Sequence, residues 1–219
     1  MVYLIIGFIV AVVLAKIASI SLRVEKIISI SLIITLLSFE LFYFYSKVFL
    51  EDIEFLIALP VYWCAVTNFL IIIALIKRDS FLIRVSAFMM MGPIFAMVVE
   101  SSQIDYTLRY YISHTGIIVA ILYAIFAIYK EPKELFFWKI LTFVYVMIYF
   151  IVFEMLYPFL LKSLFGNVST FVDYLYIFND FLMNITFVVC VGSIYVFFIS
   201  YFIIDYLIAV LRKGFKVIT

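Results

Sequence analysis

Seven long apolar runs fill nearly all of this 219-residue chain, and the Lys and Arg residues gather in every second gap between them. A bilayer core admits only backbone whose hydrogen bonds close within a helix or a sealed barrel, and runs of about 20 apolar residues are helix-length rather than strand-length. The expectation is therefore an all-α, polytopic membrane helix bundle. Its spans fall at roughly 2–22, 27–49, 55–76, 81–100, 107–129, 136–161 and 181–211. With 69% hydrophobic residues and 13% charged, the chain cannot cover a soluble globule with polar surface. No stretch outside the runs is long enough for a second domain, so residues 1–219 read as a single seven-helix transmembrane domain. The first run has no basic n-region or small-residue cleavage site and reads as a retained span.

Orientation follows from charge. The gaps after the first, third and fifth runs, with the tail, hold eleven Lys and Arg residues: Arg23, Lys26, Lys77, Arg78, Arg84, Lys130, Lys133, Lys139, Arg212, Lys213 and Lys216. The opposite side holds three, Lys47, Arg109 and Lys162, beside carboxylates such as Glu51, Asp52 and Asp105. Cytoplasmic loops retain positive charge, so the amino terminus is expected outside and the carboxyl terminus in the cytoplasm. In a bacterium the compartment is the plasma membrane. The net charge of +1, without a basic block, argues against nucleic acid as a partner; membrane lipids and an amphiphilic substrate are the partners expected.

Ionisable and reactive side chains at membrane depth form a short list, because each is costly there. Cys64, His114, Glu40, Glu154 and Glu100 fall in the outer half of their spans. Glu100, beside Ser101 and Ser102, reads most simply as an interfacial charge. Lys16 and Asp205 fall in the inner half and are expected to pair with each other, with snorkelling of Lys16 as the competing account. In the third span, Pro60, Cys64 and Asn68 repeat every four residues and share a helix face. Cys64 has two readings, a thiol nucleophile or a small buried hydrophobe. Cys190, with only Gly192 and Ser193 near it, reads as the latter, and no disulfide framework is expected. His114, the only histidine, has two readings as well: a general base, or a packing hydrogen-bond donor. A buried thiol stays protonated, so a neighbouring base is what would activate it. Either Glu40 or Glu154 would then orient the imidazole, and Asn68 would serve as an oxyanion or orienting donor.

One histidine and scattered carboxylates supply no metal ligand set, and no Gly-rich phosphate loop or central lysine in the seventh run points to a cofactor. GlyXXXGly pairs are absent, so close helix crossings of that type are not signalled. The aromatic-rich segment at 162–180 reads as an interfacial helix or a lid.

The order of Leu59-Pro60, Cys64, the Lys77-Arg78 turn and Ile112-Ser113-His114 resembles the YwaF-like integral membrane family, from about residue 54 onward. Its animal relatives include transmembrane protein 164, a cysteine-dependent acyltransferase that moves fatty acyl chains between glycerophospholipids. The Phe165-Gly166-Asn167 loop stands where that family often has Gly-Thr-Asn, and Tyr62 and Trp63 stand where bacterial members commonly carry a histidine. A Thr-Pro-Asp stretch after the fourth span is missing. The resemblance implies that Cys64 is acylated and that His114 is the base. The contrasting classes are a proton-linked transport or small-ligand-binding subunit using Glu40, Glu154 and His114, favoured by the helix-interrupting Pro60, Pro93 and Pro158, and a non-catalytic membrane partner of a larger complex.

Overall fold

A computed structural model describes residues 2–50, 63–90, 92–94, 97, 108–130, 135–149, 206 and 208–210. Among these residues the regular structure is entirely helical. We number the helices α1 (Val2–Ala18), α2 (Leu22–Tyr45), α3 (Trp63–Lys77), α4 (Ser80–Met89), α5 (Leu108–Ala127) and α6 (Leu135–Tyr149). They overlap the first six expected apolar runs in order. Of the seventh, residues 206 and 208–210 are described and are helical. The 162–180 segment, Glu100, Asp205, Cys190, Pro60 and Pro158 lie outside the described residues, and with Asp205 the expected Lys16 pairing.

The ends of the helices are set by local chemistry that hydropathy does not see. Ser21, in extended conformation, caps α2 by accepting a hydrogen bond from the Val24 amide at 3.2 Å. Glu25 adds a favourable negative charge in the first turn. The helix therefore runs straight through Arg23, Glu25 and Lys26, five residues before the apolar run begins. At its other end α2 continues as a π-helical turn, Ser46–Leu50. Leu22–Phe49, 28 residues, is the one helix among the described residues long and apolar enough to cross a membrane by itself. Asp79 caps α4, its Oδ1 accepting from the amides of Phe81 at 2.8 Å and Leu82 at 3.1 Å.

At the centre stands α5. Every residue from Ile117 to Ile125 is buried, including Tyr123 at 0% exposure. A helix that is apolar on all faces belongs inside a bundle, and α1, α2, α3 and α4 all pack against this one. The contacts also give the directions. Tyr3 stacks on Tyr111 with ring centroids 4.9 Å apart, and Gly7 lies against Thr115, so α1 and α5 run parallel. A methyl on Gly116 would rest 3.6 Å from Leu36, whereas Tyr123, two turns on, bonds to Glu25 and Ser29, so α2 runs antiparallel to α5. On α4 the outer layer is α6, where Phe81 meets Trp138 at 5.1 Å and Tyr145 edge-on at 6.4 Å.

The α1–α5 contact is closer than the lack of GlyXXXGly suggests. Gly7, Ala11, Ala15 and Ala18 form one buried stripe along α1. A Cβ on Gly7 would meet Thr115 Cγ2 at 3.1 Å, tighter than an ordinary contact. Alanine one turn away serves as well as glycine for close approach, so the motif is small-xxx-small, with glycine needed only at its first position. The other face of α1, with Val2, Ile5, Ile9, Val13 and Ile17, is exposed, as are Ile27, Ile30, Ile34 and Leu41 on α2. A contiguous apolar surface of this extent is one that lipid, not water, solvates.

Polar chemistry locks one end of the bundle. Arg78 Nη2 donates to Glu25 Oε2 at 2.7 Å, with the two side chains 39% and 11% exposed. Tyr123 and Ser29 hydroxyls both donate to the Glu25 carbonyl, at 3.0 and 2.9 Å. Arg84, 4% exposed, donates to the Tyr129 hydroxyl at 3.2 Å, and the Lys130 amide donates to Ser80 Oγ at 3.0 Å. These bonds bring the α1–α2, α3–α4 and α5–α6 connections to the same end. The basic residues Arg23, Lys26, Lys77, Arg78, Arg84 and Lys130 therefore cluster there, as the charge pattern requires.

Arg78 holds φ at 55°, the left-handed region that terminates α3 and normally favours glycine. Two replacements separate its backbone from its charge, since both remove the ion pair and only glycine suits the dihedral. Arg78→Gly is expected to unfold at higher temperature in detergent than Arg78→Ala, by about 1 kcal/mol. Equal stabilities would show that the turn is unstrained. Gly7→Val is expected to cost about 1–3 kcal/mol by overpacking the α1–α5 contact, read as a lowered unfolding midpoint; a wild-type midpoint would mean that α1 is not seated on Thr115.

Candidate functional site

The end of the bundle opposite the basic cluster receives the end of α2 and the starts of α3 and α5. Antiparallel packing puts them at one level: Glu40 lies five residues before the end of α2, Cys64 and Asn68 in the first two turns of α3, and His114 six residues into α5. At 1.5 Å per residue each is within about 10 Å of its helix end.

Glu40 and Asn68 are in direct contact. Asn68 is 2% exposed, and its Nδ2 donates to Glu40 Oε2 at 3.1 Å and to the Leu36 carbonyl at 3.3 Å. Both amide hydrogens are thereby committed to α2. The amide cannot be turned over without setting its oxygen against two acceptors, so its orientation is fixed by chemistry. Asn68 Oδ1 is buried and finds no hydrogen-bond partner. An unmet buried acceptor of this kind costs about 1–3 kcal/mol.

Cys64, one turn before Asn68 on the same face, is partly buried and not disulfide-bonded. His114 is partly buried, with Ser113 Oγ 3.4 Å from its Nδ1. Its helix packs against α3, and the neighbouring Thr115 Oγ1 is a second buried oxygen lacking a partner. Glu154 lies outside the described residues, so of the two carboxylates proposed to assist His114, only Glu40 has a described position. Thr67, adjacent to Asn68 and 0% exposed, donates to the Met89 carbonyl at 3.4 Å and ties α3 to α4 beneath the site.

Sequence reasoning grouped Cys64, Asn68, Glu40 and His114 as one candidate set but missed the Leu36 carbonyl. That carbonyl belongs to an apolar residue and carries no signal in the sequence. It nonetheless fixes which end of the Asn68 amide faces α2.

The Glu40–Asn68 contact is expected to be energetically coupled. In a double-mutant cycle of Glu40→Ala and Asn68→Ala, thermal unfolding should show non-additivity of about 1–2 kcal/mol, as for a hydrogen bond to a charged group. Additive losses would mean that the two side chains do not share a bond.

A sequence model of the TMEM164 family matches residues 1–210. The match includes α1 and α2, which the motif resemblance from residue 54 onward leaves out. No curated protein and no solved structure matches the chain.

Proposed function

The chain belongs to the TMEM164 family, and from that membership and the polar cluster around Cys64 we propose that it is a membrane-embedded acyltransferase. It moves fatty acyl chains between phospholipids through a thioester on Cys64, with His114 as general base. The protein is a membrane protein; the proposed arrangement is a single multi-pass domain of seven spans. The amino terminus is outside, because the basic end of the bundle belongs in the cytoplasm. The site then lies just beneath the outer headgroups, the depth at which phospholipid ester bonds sit.

The observation that carries this reading is the company Cys64 keeps. The thiol stands one turn from a buried amide that is bound to a carboxylate, at the same level as the only histidine in the chain. In a low-dielectric setting the thiol stays protonated until a base takes its proton. The imidazole accepts that proton, and the sulfur attacks the ester carbonyl of a donor phospholipid. The ester C–O bond breaks, and the proton returns to the departing glycerol oxygen. The products of this half-reaction are a thioester on Cys64 and a lysophospholipid. In the second half an acceptor hydroxyl gives its proton to His114 and attacks the thioester, and the thiol is regenerated. Two moderate barriers replace one high one. With Nδ1–H donating to Ser113 Oγ, Nε2 takes and returns the proton, and Glu40 is the carboxylate that supports the site. Glu154 remains a proposed second one.

Incubation with a phospholipid bearing a labelled acyl chain should give a hydroxylamine-sensitive adduct on Cys64. Cys64→Ser should abolish it, and His114→Gln should slow its formation by about 10²–10⁴-fold. Labelling of Cys190 instead, or full acyl exchange by Cys64→Ser, would overturn the proposal.

A further inference from the structure

We infer that Asn68 is a specificity-determining residue whose Oδ1 accepts a hydrogen bond from the free hydroxyl of the ligand at Cys64, with Glu40 as the positioning residue that holds the amide in that sense. The inference rests on the acyl-transfer reading for the identity of the ligand, a lysophospholipid bearing one glycerol hydroxyl. The geometry that suggests it stands independently of that reading.

Three observations combine. Asn68 is 2% exposed, so its polar atoms are out of reach of bulk solvent. Its Nδ2 hydrogens are both spent on α2, at the Leu36 carbonyl and Glu40 Oε2. Its Oδ1 is left buried and unmet. Side chains on a helix lean toward its amino terminus, and on this face the next residue in that direction is Cys64. An acceptor held without a donor, one turn from a thiol, is matched by a ligand that brings an O–H. That same hydroxyl is the group which attacks the thioester. Binding to Asn68 would hold the acceptor oxygen beside the thioester carbonyl before its proton passes to His114. A hydrocarbon side chain of the same size would be the better choice if the position served packing alone, because the unmet oxygen is a cost in the empty protein.

Glu40 enters by forcing the choice. With a carboxylate and a carbonyl on one side, only the NH2 end of the amide is tolerated there. The oxygen is thereby committed to the other side. Asn68 is thus excluded as an oxyanion donor while its hydrogens remain so engaged, and its role moves from the acyl group to the incoming alcohol.

The test compares binding of two probes to the purified full chain in nanodiscs: a lysophospholipid with one free glycerol hydroxyl, and its deoxy counterpart. Each competes against a fluorescent lysophospholipid. Wild-type protein is expected to bind the hydroxyl form on the order of tenfold or more tightly, since a site built around a hydrogen bond rejects the analogue lacking it. Asn68→Leu should bring the ratio near one, and Glu40→Gln, whose amide can donate to Oδ1 and so lets the Asn68 amide turn over, should lower it. Equal binding of the two probes by wild type would overturn the inference and assign Oδ1 to a resident water. A preference that survives in Asn68→Leu would overturn it as well. Should Asn68→Leu fail to fold, the wild-type ratio alone decides. Acylation of Cys64 is scored separately. Its absence alongside a clear hydroxyl preference removes the thioester and leaves Asn68 as a ligand contact, whereas its presence without the preference removes only the role of Asn68.

Discussion

The bundle depends on one helix being surrounded. With Ile117 to Ile125 buried without interruption, the middle of α5 has no exposed side, and four other helices take their positions from it. In lipid there is little hydrophobic gain when helices meet, since acyl chains are as apolar as leucine. What holds α5 in place is close packing and a few well-made polar contacts. The stripe Gly7, Ala11, Ala15 and Ala18 provides the first, with the approach of Gly7 to Thr115 as its tightest point. Tyr123, whose hydroxyl donates to the Glu25 carbonyl across the α2 interface, provides the second.

The two ends of the bundle are built for different tasks. At the basic end three cross-helix pairs are made, Glu25 with Arg78, Arg84 with Tyr129 and Lys130 with Ser80, although Arg84 Nε is itself buried and unmet. Several of these bonds link helices distant in sequence, so they fix the register of α2, α3, α4 and α5 together. At the opposite end Asn68 Oδ1 and Thr115 Oγ1 are buried and unmet. Unsatisfied atoms are tolerable when the register is already determined elsewhere, and they are the kind of irregularity that functional sites carry.

Much of the helical architecture was legible in the pattern of apolar runs and basic gaps. Apolar runs of about 20 residues gave six helices in the right order, and the alternation of Lys and Arg gave a common basic end. Boundaries were less so: hydropathy starts α2 at 27, whereas the Ser21 cap starts it at Leu22, because a hydrogen bond to an exposed backbone amide leaves no trace in an apolar average. The small-residue seam was missed by asking for glycine at both positions of the motif. At the site, polar residues at membrane depth were identifiable by their rarity, and Pro60, Cys64 and Asn68 shared a face by spacing alone. The bond between Glu40 and Asn68 was not visible, because it joins residues 28 apart on two helices. Nor was the commitment of the amide hydrogens, since one acceptor is the backbone of a leucine.

The parallel pairing of α1 with α5 has a consequence for assembly. Gly7 and its partner Thr115 are separated by most of the first half of the chain, so a ribosome needs on the order of ten seconds to deliver one after the other. Throughout that interval the first helix waits with its narrow glycine and alanine groove unclaimed. Helices made in between must leave the groove open, and the nascent chain meets an interval in which an insertion chaperone, or the groove of another membrane protein, competes with α5 for the same seat.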